Sequence, residues 1–532
     1  MYFRNLATLV LLIVGTTGCS LPVWLNRIGT ETGENYAGFA ADVEGNYYIT
    51  GIYNTSITID GLTLNGNDSD LYVAKFDKNG NILWLKGESS DAFYAVYDLI
   101  TTPDGGYCIS GIYFNADAQF GNITLTNDAS GNPFIARYDK EGNVLWARGE
   151  SGSANYYQLA IDHTGSIIFL GEISNPFTFN GEEQPEYGDR DIIFGKYASD
   201  GTPLWIKVLP GLDLEYSSKV AIDAENNILI TGRFFSNFTF EGISFNSYGN
   251  EDAFILKTDS EGSPVWVNVL GDDGNNRMPA GLGIADNGNI YLSLSVDDGM
   301  YVDAFTINTL GLTDMCLLEI NPDNGAVNWY QTGGGYDWDY AYDLVVGSNG
   351  VFVCGTVNGD AEFGGLQLLS TGTSGFMIGY NFDGSAMELT PLTSTSGAHA
   401  YNITSDERGG ALVAGVFNSD VTVPGYSTIY SQGASDIFIC KVASELVPIQ
   451  QTEIAAQHLT LWPNPATTYI QVDAGAFAGE RLQLFDLQGN LLSTKDMTFE
   501  TTLDISTLPS GTYVIQLINT QGDYIAQPFI KQ

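Results

Sequence analysis

The chain has 532 residues, of which 44% are hydrophobic, and 63 acidic against 20 basic residues give a formal net charge of −43. A chain of this length can hold several domains or one large repeat array. The charge leaves no basic patch to neutralise phosphates, which argues against a nucleic-acid partner and an anionic membrane surface. The carboxylates are explained by a solvated surface and also admit bound Ca²⁺; no other cofactor is indicated.

Residues 1–18 have the pattern of an export signal. Arg4 provides a positive start, residues 6–14 an apolar core, and small residues the end of the segment. The apolar run is too short to span a membrane, and no transmembrane segment is predicted in the mature chain. Thr-Thr-Gly-Cys resembles a bacterial lipobox, with Cys19 as the lipidated residue, although Thr16 stands where that family usually has Leu. Cleavage without lipidation is the alternative.

From residue 24 onward a repeat organises the chain. Tryptophans recur at intervals of 59 to 63 residues, at Trp24, Trp84, Trp146, Trp205, Trp266 and Trp329. Each repeat predicts four strands, a to d, separated by turns rich in Gly, Asn and Asp. In the second repeat these strands are residues 94–101, 107–113, 132–139 and 143–149. One period after Trp329 the pattern continues at Leu389, without the Trp. A fixed period of this kind indicates a repeat architecture.

The two ends of the repeat region predict how the array closes. Strand c occurs seven times, and its last copy, which begins at Asp436, is followed by no strand d. Residues 24–29 form a strand d with no strand c before it. Pairing the two removes both open edges. The sequence therefore predicts an all-β fold in which residues 20–443 form a seven-bladed β-propeller closed by an N-terminal strand.

The repeat carries two short motifs. One is a G-N-hydrophobic-W turn and the other a D-x-hydrophobic-x-x-K strand, represented by Asp70, Lys75, Gly80, Asn81 and Trp84. In these motifs the chain resembles bacterial β-propeller repeat families, over about residues 22–443. The resemblance implies the fold and no particular activity, because propellers include both enzymes and binding proteins.

The last part of the chain is built differently. Residues 444–458 have no repeat signal and are interpreted as a linker, and residues 459–532 predict a small antiparallel β-sandwich. A Pro-Asn-Pro opening, a Asp-Leu-Gln-Gly-Asn turn and a Leu-Pro-Ser-Gly-Thr-Tyr turn occur there in order. Together they resemble the C-terminal sorting domain of the type IX secretion system. The resemblance implies that residues 459–532 engage the secretion machinery and that the protein reaches the outer-membrane surface or the extracellular medium.

The candidate binding residues lie on one face of the propeller. In a propeller the d–a and b–c connections share one face, here called the loop face, and these connections are long and variable in this chain. Two consecutive d–a connections carry the candidate residues, which are Asp272, Asp273 and Arg277 in the first, and Tyr336, Asp337, Trp338 and Asp339 in the second. Aromatic rings beside carboxylates suit a glycan or a cationic ligand.

Catalytic and metal motifs are not found in the sequence. The three His residues lie in no zinc or triad pattern, and Cys108, Cys316, Cys354 and Cys440 are interpreted as buried free thiols, so no catalytic or metal-ligating residue is assigned. The leading hypothesis is a surface-displayed or secreted, non-catalytic propeller that binds a glycan, a protein or another envelope component. A glycan hydrolase or lyase using paired loop-face carboxylates, and a structural surface component, are the alternatives.

Overall fold

A computed structural model describes residues 22–29, 35–67, 69–128, 131–249, 251–271, 279–405, 410–424, 426–433, 435–442, 460–473, 481–486, 491–496, 500–518 and 524–532. The predicted export signal, Cys19 and the linker at 444–458 lie outside these residues. The chain divides into two compact units, Met1–Glu445 and Leu446–Gln532. All regular secondary structure in the described ranges is β-strand, and none of it is a helix that could cross a membrane.

Within the described residues, seven sheets of the first unit contain the four-strand path a-b-c-d, and we number these blades 1 to 7. Their strands, in that order, are Asn35–Ala41, Tyr47–Tyr53, Asp70–Phe76 and Ile82–Glu88; Phe93–Thr101, Tyr107–Phe114, Asn132–Tyr138 and Val144–Gly149; Ser151–Ile161, Ile167–Phe179, Asp191–Tyr197 and Pro203–Leu209; Tyr216–Ile222, Ile228–Phe234, Asp252–Thr258 and Pro264–Leu270; Pro279–Ile284, Ile290–Val296, Asp314–Ile320 and Val327–Gly334; Tyr340–Val346, Val351–Asn358, Thr373–Tyr380 and Ala386–Leu392; Ala398–Ser405, Ala411–Phe417, Asp436–Val442 and Pro22–Ile28.

The ring closes as the sequence predicted. Pro22–Ile28 pairs antiparallel with Asp436–Val442, with Leu25 opposite Cys440, so the first strand of the chain is the outer strand of the last blade. The innermost strands contact one another in cyclic order, and the strand a of blade 7 contacts the strand a of blade 1. The prediction of an all-β propeller closed by an N-terminal strand is confirmed.

The b–c connections differ from the prediction of variable loops. In each blade the connection contains a short β-hairpin, formed by Ser56–Ile59 and Leu62–Asn65, Ala118–Phe120 and Ile123–Leu125, the end of Ile167–Phe179 and Glu182–Gln184, Phe238–Phe240 and Ile243–Phe245, Tyr301–Val302 and Phe305–Thr306, Ala361–Phe363 and Leu366–Leu368, and Asp420–Val421 and Ile429–Tyr430. In blade 1 the hairpin turns at Asp60 and Gly61, both with positive φ, which is typical of a two-residue hairpin turn.

The repeated tryptophans join neighbouring blades. Each indole ring packs on the c–d turn of the next blade, where a positive-φ Gly leaves room for it; a Cβ at Gly201 would lie 2.7 Å from the Trp146 ring. The other contacts of this kind join Trp24 to Gly80, Trp84 to Gly142, Trp205 to Gly262, Trp266 to Gly325, and Trp329 to Gly384. The Trp146 indole N–H also donates to the Ser199 carbonyl at 3.0 Å. The tryptophans therefore belong to the inter-blade core.

The repeat loses its Trp in blade 6, next to the point where the ring closes. In the strand pairing of blade 6, Glu388 lies opposite Gly379 and occupies the position of the Trp. Leu389, where the sequence period placed that position, is one residue further along the strand. Blade 7 has no c–d turn, because its strand d comes from the beginning of the chain. Since no such turn is present to receive an indole, the missing Trp is a consequence of the closure.

The lysine of the strand c motif pairs with an aspartate of the a–b turn. Lys75 on strand c lies 3.2 Å from a carboxylate oxygen of Asp42 in the a–b turn of the same blade. The other carboxylate oxygen of Asp42 accepts hydrogen bonds from the backbone of Glu44 and Asn46. Equivalent ion pairs join Lys196 to Asp162 at 2.8 Å and Lys257 to Asp223 at 2.9 Å. A single carboxylate thus shapes the turn and neutralises a buried lysine.

The second unit is a small β-sandwich. One sheet contains Thr460–Trp462, Tyr469–Asp473 and Glu500–Asp504, and the other contains Leu491–Asp496, Arg481–Asp486, Gly511–Ile518 and Tyr524–Lys531. Ile470 and Val472 of the first sheet and Leu484, Ile515 and Leu517 of the second belong to one buried cluster. The described residues therefore confirm two packed antiparallel sheets.

We expect Trp146→Ala to lower the free energy of unfolding of the propeller by ~3–5 kcal/mol, because it leaves a cavity over Gly201 and removes the bond to Ser199. Leu145→Ala is the matched control, since Leu145 is the preceding residue and is half exposed. The control should change stability by no more than ~0.5 kcal/mol. Equal effects in denaturant unfolding would show that the indole is not an inter-blade contact.

We expect removal of residues 20–30 to abolish cooperative unfolding of the propeller or to cause aggregation. The deletion exposes the backbone edge of Asp436–Val442 together with its apolar side chains. A chain lacking residues 459–532 is the control, because these residues belong to the other unit. If the two truncated proteins show the same calorimetric transition as the full chain, the N-terminal strand does not close the ring.

Candidate functional site

The structure separates the predicted site residues into three groups. Asp272, Asp273 and Arg277 lie outside the described residues. Tyr336, Asp337 and Trp338 are exposed in the connection between blades 5 and 6, with Tyr336 at 86% and Trp338 at 53% exposure. Asp339 in the same connection is fully buried. The four predicted residues from 336 to 339 are therefore not all available to a ligand.

Asp339 positions the connection. One of its carboxylate oxygens accepts the backbone N–H of Asn358 at 2.8 Å, and the other accepts the backbone N–H of Gly335. Burial raises the pKa of Asp339, while the two backbone donors act in the opposite direction. The carboxylate thus ties the d–a connection to blade 6, and the exposed residues on either side are held in place by it.

A second connection lies against the first. The b–c connection of blade 5 donates the backbone N–H of Leu312 to the Asp337 carbonyl at 3.2 Å and accepts the N–H of Asp339 on the Thr313 carbonyl at 2.8 Å. Gly311 is required at this approach, because a Cβ there would lie 2.4 Å from the Gly335 carbonyl oxygen. The two connections therefore form one backbone-bonded unit on the loop face.

This unit presents an apolar patch to solvent. Leu310 and Leu312 of the b–c connection are both more than half exposed, as are Tyr336 and Trp338 of the d–a connection. We call these four residues the apolar patch. Large apolar side chains grouped on two connections that are bonded to each other are more informative than single exposed hydrophobic residues, which are common on soluble proteins.

A polar groove adjoins the apolar patch. It lies between the connections of blades 6 and 7 and is lined by Asp360, Leu369, Ser370, Thr371, Thr393, Ser394, Thr395, Asp420 and Thr422, which we call the hydroxyl groove. Gly335, the residue before Tyr336, packs against the backbone of Asp360, where a Cβ would lie 2.2 Å from the Asp360 carbonyl oxygen. This contact places the groove next to the patch.

The carboxylates of the hydroxyl groove are held by hydrogen bonds from the connections that line it. Asp360 accepts the backbone N–H of Ser370 at 2.8 Å, and its side chain is exposed. Asp420 is nearly buried and accepts hydrogen bonds from the backbone and the hydroxyl of Thr395. The groove thus offers oriented oxygen atoms that can accept hydrogen bonds, and hydroxyl groups that can donate them.

The centre of the ring contains carboxylates as well, and they are engaged with neighbouring blades. Lys219 of blade 4 lies 3.0 Å from Asp343 of blade 6. Asp98 accepts the backbone N–H of Leu159 in the next blade at 2.7 Å, and Asp343 accepts that of Ile403 at 3.2 Å. Burial raises the pKa of Asp98 to about 6. These contacts assign the central carboxylates to holding the inner strands together.

Cysteine chemistry gains no support from the described residues. Cys108, Cys316, Cys354 and Cys440 are free and buried, as the sequence predicted, and burial raises the pKa of each thiol. In the described ranges, no three acidic, His or Cys side chains cluster in a way that could hold a metal ion. Buried thiols of high pKa are poor nucleophiles.

Sequence reasoning missed half of the apolar patch and all of the hydroxyl groove. Leu310 and Leu312 lie in a b–c connection that has no unusual composition, and their exposure follows from the pairing with residues 335–339. The serines and threonines of the groove come from three separate connections. The sequence carried a signal only for the b–c hairpins, because turn pairs such as Asp60-Gly61 lie between alternating apolar residues.

Comparison with known proteins identifies the second unit. Residues 460–532 match the secretion system C-terminal sorting domain family. A further relative is an uncharacterized WD repeat-containing protein of Acanthamoeba polyphaga mimivirus, 25% identical over 162 residues, which are 26% of this chain and 12% of that protein. The chain thus spans a small part of the length of this curated relative.

Two solved structures resemble the chain at low sequence identity. A protein of unknown function from Bacteroides caccae has a TM-score of 0.33 at 10% identity, covering 60% of this chain and 89% of that one. The Neurospora crassa Pan2 WD40 domain has a TM-score of 0.35 at 12% identity, covering 66% and 90%. The description of the propeller therefore rests on its own strand pairing.

The sorting domain establishes where the protein acts. Such domains direct export through the type IX secretion system, and the protein is accordingly exported to the cell surface or the extracellular space. Within the described part of the propeller, the exposed aromatic side chains lie in connections of the loop face.

We expect a chain truncated after residue 445 to remain inside the outer membrane, because it lacks the sorting domain. Localisation by cell fractionation in the native host measures this. The purified truncated chain should keep the melting transition of the propeller, which excludes misfolding as the cause, and full-length Trp338→Ala should be exported normally. Arrival of the truncated chain at the surface would show that export does not need residues 460–532.

Proposed function

We propose that this exported propeller is a non-catalytic, glycan-binding protein that engages its ligand through the apolar patch and the hydroxyl groove. The observation that carries the proposal is the exposure of Tyr336 and Trp338 on a connection whose Gly335 packs against Asp360 of the hydroxyl groove. The ligand is an extracellular or envelope glycan, in keeping with export to the cell surface or beyond.

The chemistry of a sugar matches both parts of this surface. An indole or phenol ring covers the apolar C–H face of a pyranose, and its edge remains hydrated. Carboxylates such as Asp360 and Asp420 accept hydrogen bonds from sugar hydroxyls, and threonine hydroxyls can donate or accept them. A few oriented polar groups next to an aromatic surface are the usual composition of a small-molecule site.

The backbone bonds between the two connections favour tight recognition. Leu312 bonds to Asp337, and Thr313 bonds to Asp339, so the aromatic residues sit on a connection that is tied at both ends. A surface that is already ordered loses less conformational entropy when it binds. The arrangement therefore supports recognition by a rigid face more than closure of a flexible loop.

The acidic surroundings restrict the ligand further. Asp337 on the patch and Asp360 in the groove are exposed, and the chain carries a net charge of −43. Anionic polysaccharides would be repelled by this surface, especially at low ionic strength. The proposal is therefore directed to neutral or amine-bearing glycans, since an amine can also lie over an aromatic ring.

We expect Trp338→Ala to weaken glycan binding by ~1–3 kcal/mol, because it removes a hot-spot aromatic surface, and to leave the melting temperature nearly unchanged. A glycan array with neutral, amine-bearing and anionic members, followed by calorimetry on each binder, measures this. Tyr187→Ala is the control, since Tyr187 is a half-exposed aromatic residue in the b–c connection of blade 3, outside the apolar patch and the hydroxyl groove.

Two results would contradict the proposal. Equal weakening by Trp338→Ala and Tyr187→Ala would place the ligand elsewhere on the loop face. Unfolding of Trp338→Ala at a clearly lower temperature would show that Trp338 belongs to the core and that it is not a contact residue.

A further inference from the structure

The connection between blades 3 and 4 repeats the geometry of the connection between blades 5 and 6. Leu214 forms a parallel bridge with Arg190, as Trp338 does with Thr313. The next residue is an acid in both places, Glu215 and Asp339. Its backbone N–H donates to the carbonyl of the residue just before strand c, Arg190 at 2.9 Å and Thr313 at 2.8 Å. Each acid is therefore bonded to the residue just before the buried Asp that begins strand c, which is Asp191 or Asp314.

The two acids differ in how their carboxylates are satisfied. Asp339 accepts a backbone N–H on each oxygen. Glu215 is fully buried, and neither of its oxygens has a hydrogen-bond partner among the described residues. Asp191 follows Arg190, whose carbonyl accepts the Glu215 N–H, and is also fully buried. It uses one oxygen to accept the Tyr187 N–H at 2.8 Å, while its other oxygen has no partner among the described residues. Three buried carboxylate oxygens are thus left without donors.

The neighbouring cation, Arg190, does not neutralise the carboxylates of Glu215 and Asp191. Arg190, next to Asp191 in the chain, extends to Glu172 at 3.0 Å and lies over the ring of Tyr216 at 4.9 Å. The backbone also closes over Glu215, because a Cβ at Gly211 would lie 1.8 Å from its carboxyl carbon. The Gly211 backbone therefore packs directly against the Glu215 carboxylate.

Two buried carboxylates side by side require a compensating positive charge or a shared proton. Burial, followed by the charges of Asp191 and Asp213, raises the pKa of Glu215 to about 8. The native state without a cation should thus bind a proton here, and it should lose stability as the pH rises from the ordinary Glu value to about 8.

We propose that Glu215 and Asp191 bind one Ca²⁺ ion between blades 3 and 4. Their two negative charges match a divalent cation, and three carboxylate oxygens form half of a six-oxygen coordination sphere. In the described ranges no three acidic, His or Cys side chains together form a metal site, so backbone carbonyls and water would complete the sphere. The exported protein meets extracellular Ca²⁺, for which dissociation constants of ~10⁻⁴–10⁻³ M are typical. This site is independent of the apolar patch and the hydroxyl groove.

The test uses the purified full chain at a pH above the Glu215 pKa of about 8. Melting is followed in EDTA and in Ca²⁺, with Mg²⁺ as a second ion. At about ten times the dissociation constant, Ca²⁺ should raise the folding equilibrium constant roughly tenfold. Glu215→Gln and Asp191→Asn should each remove this response. Asp339→Asn is the matched control and should keep it, because the Asp339 oxygens already accept backbone hydrogen bonds.

The alternative, a proton shared by the two carboxylates, gives a different pattern. Without Ca²⁺, the melting temperature of the native chain relative to Glu215→Gln should then fall as the pH rises to about 8, and adding Ca²⁺ should not restore it. That pattern overturns the proposal, as does an equal Ca²⁺ response in Glu215→Gln. If a variant does not fold, calorimetric titration of the native chain with Ca²⁺ decides, and absence of binding into the millimolar range overturns the proposal.

Discussion

The packing of an indole ring on a glycine turn of the next blade is the contact on which the ring depends. It couples a residue type that is large and apolar to a turn that must lack a Cβ, so both motifs recur together. Trp146 shows the full form, with its ring over Gly201 and its N–H bonded to Ser199. Where the chain supplies no c–d turn, in blade 7, the preceding blade also lacks the Trp. The recurrence of the Trp in the repeat and its absence next to the closure are therefore both explained by this one contact.

A second constraint shapes the loop face. Most strands c begin with a buried acid whose carboxylate accepts the backbone N–H groups of the preceding connection, as Asp191, Asp252 and Asp314 do. Each carboxylate therefore organises a connection from below, and exposed side chains can vary above it. The apolar patch is one outcome, in which a satisfied Asp339 supports exposed aromatic residues. The pair of Glu215 and Asp191 is another, in which a second buried acid is present without hydrogen-bond donors for its carboxylate oxygens.

Export and binding fit together in this chain. The sorting domain delivers the protein to the cell surface or the extracellular space, and its compact unit is distinct from the propeller. The carboxylates at the centre of the ring join inner strands of different blades, which leaves the loop face as the surface where variable residues are presented. A rigid ring with one adapted sector is well suited to recognition, because the scaffold orders the connections before a ligand arrives.

The sequence by itself determined the repeat, the pairing of the first strand with the last blade, the sorting domain and the exposed Trp338, because each has a local signal or a fixed period. Only the tertiary structure decided that Asp339 is buried while its neighbours are exposed, and that Leu310 and Leu312 join Tyr336 and Trp338. It also placed Glu215 against Asp191. These facts depend on contacts between connections far apart in the chain, and one sequence contains no periodic or compositional trace of which connections meet.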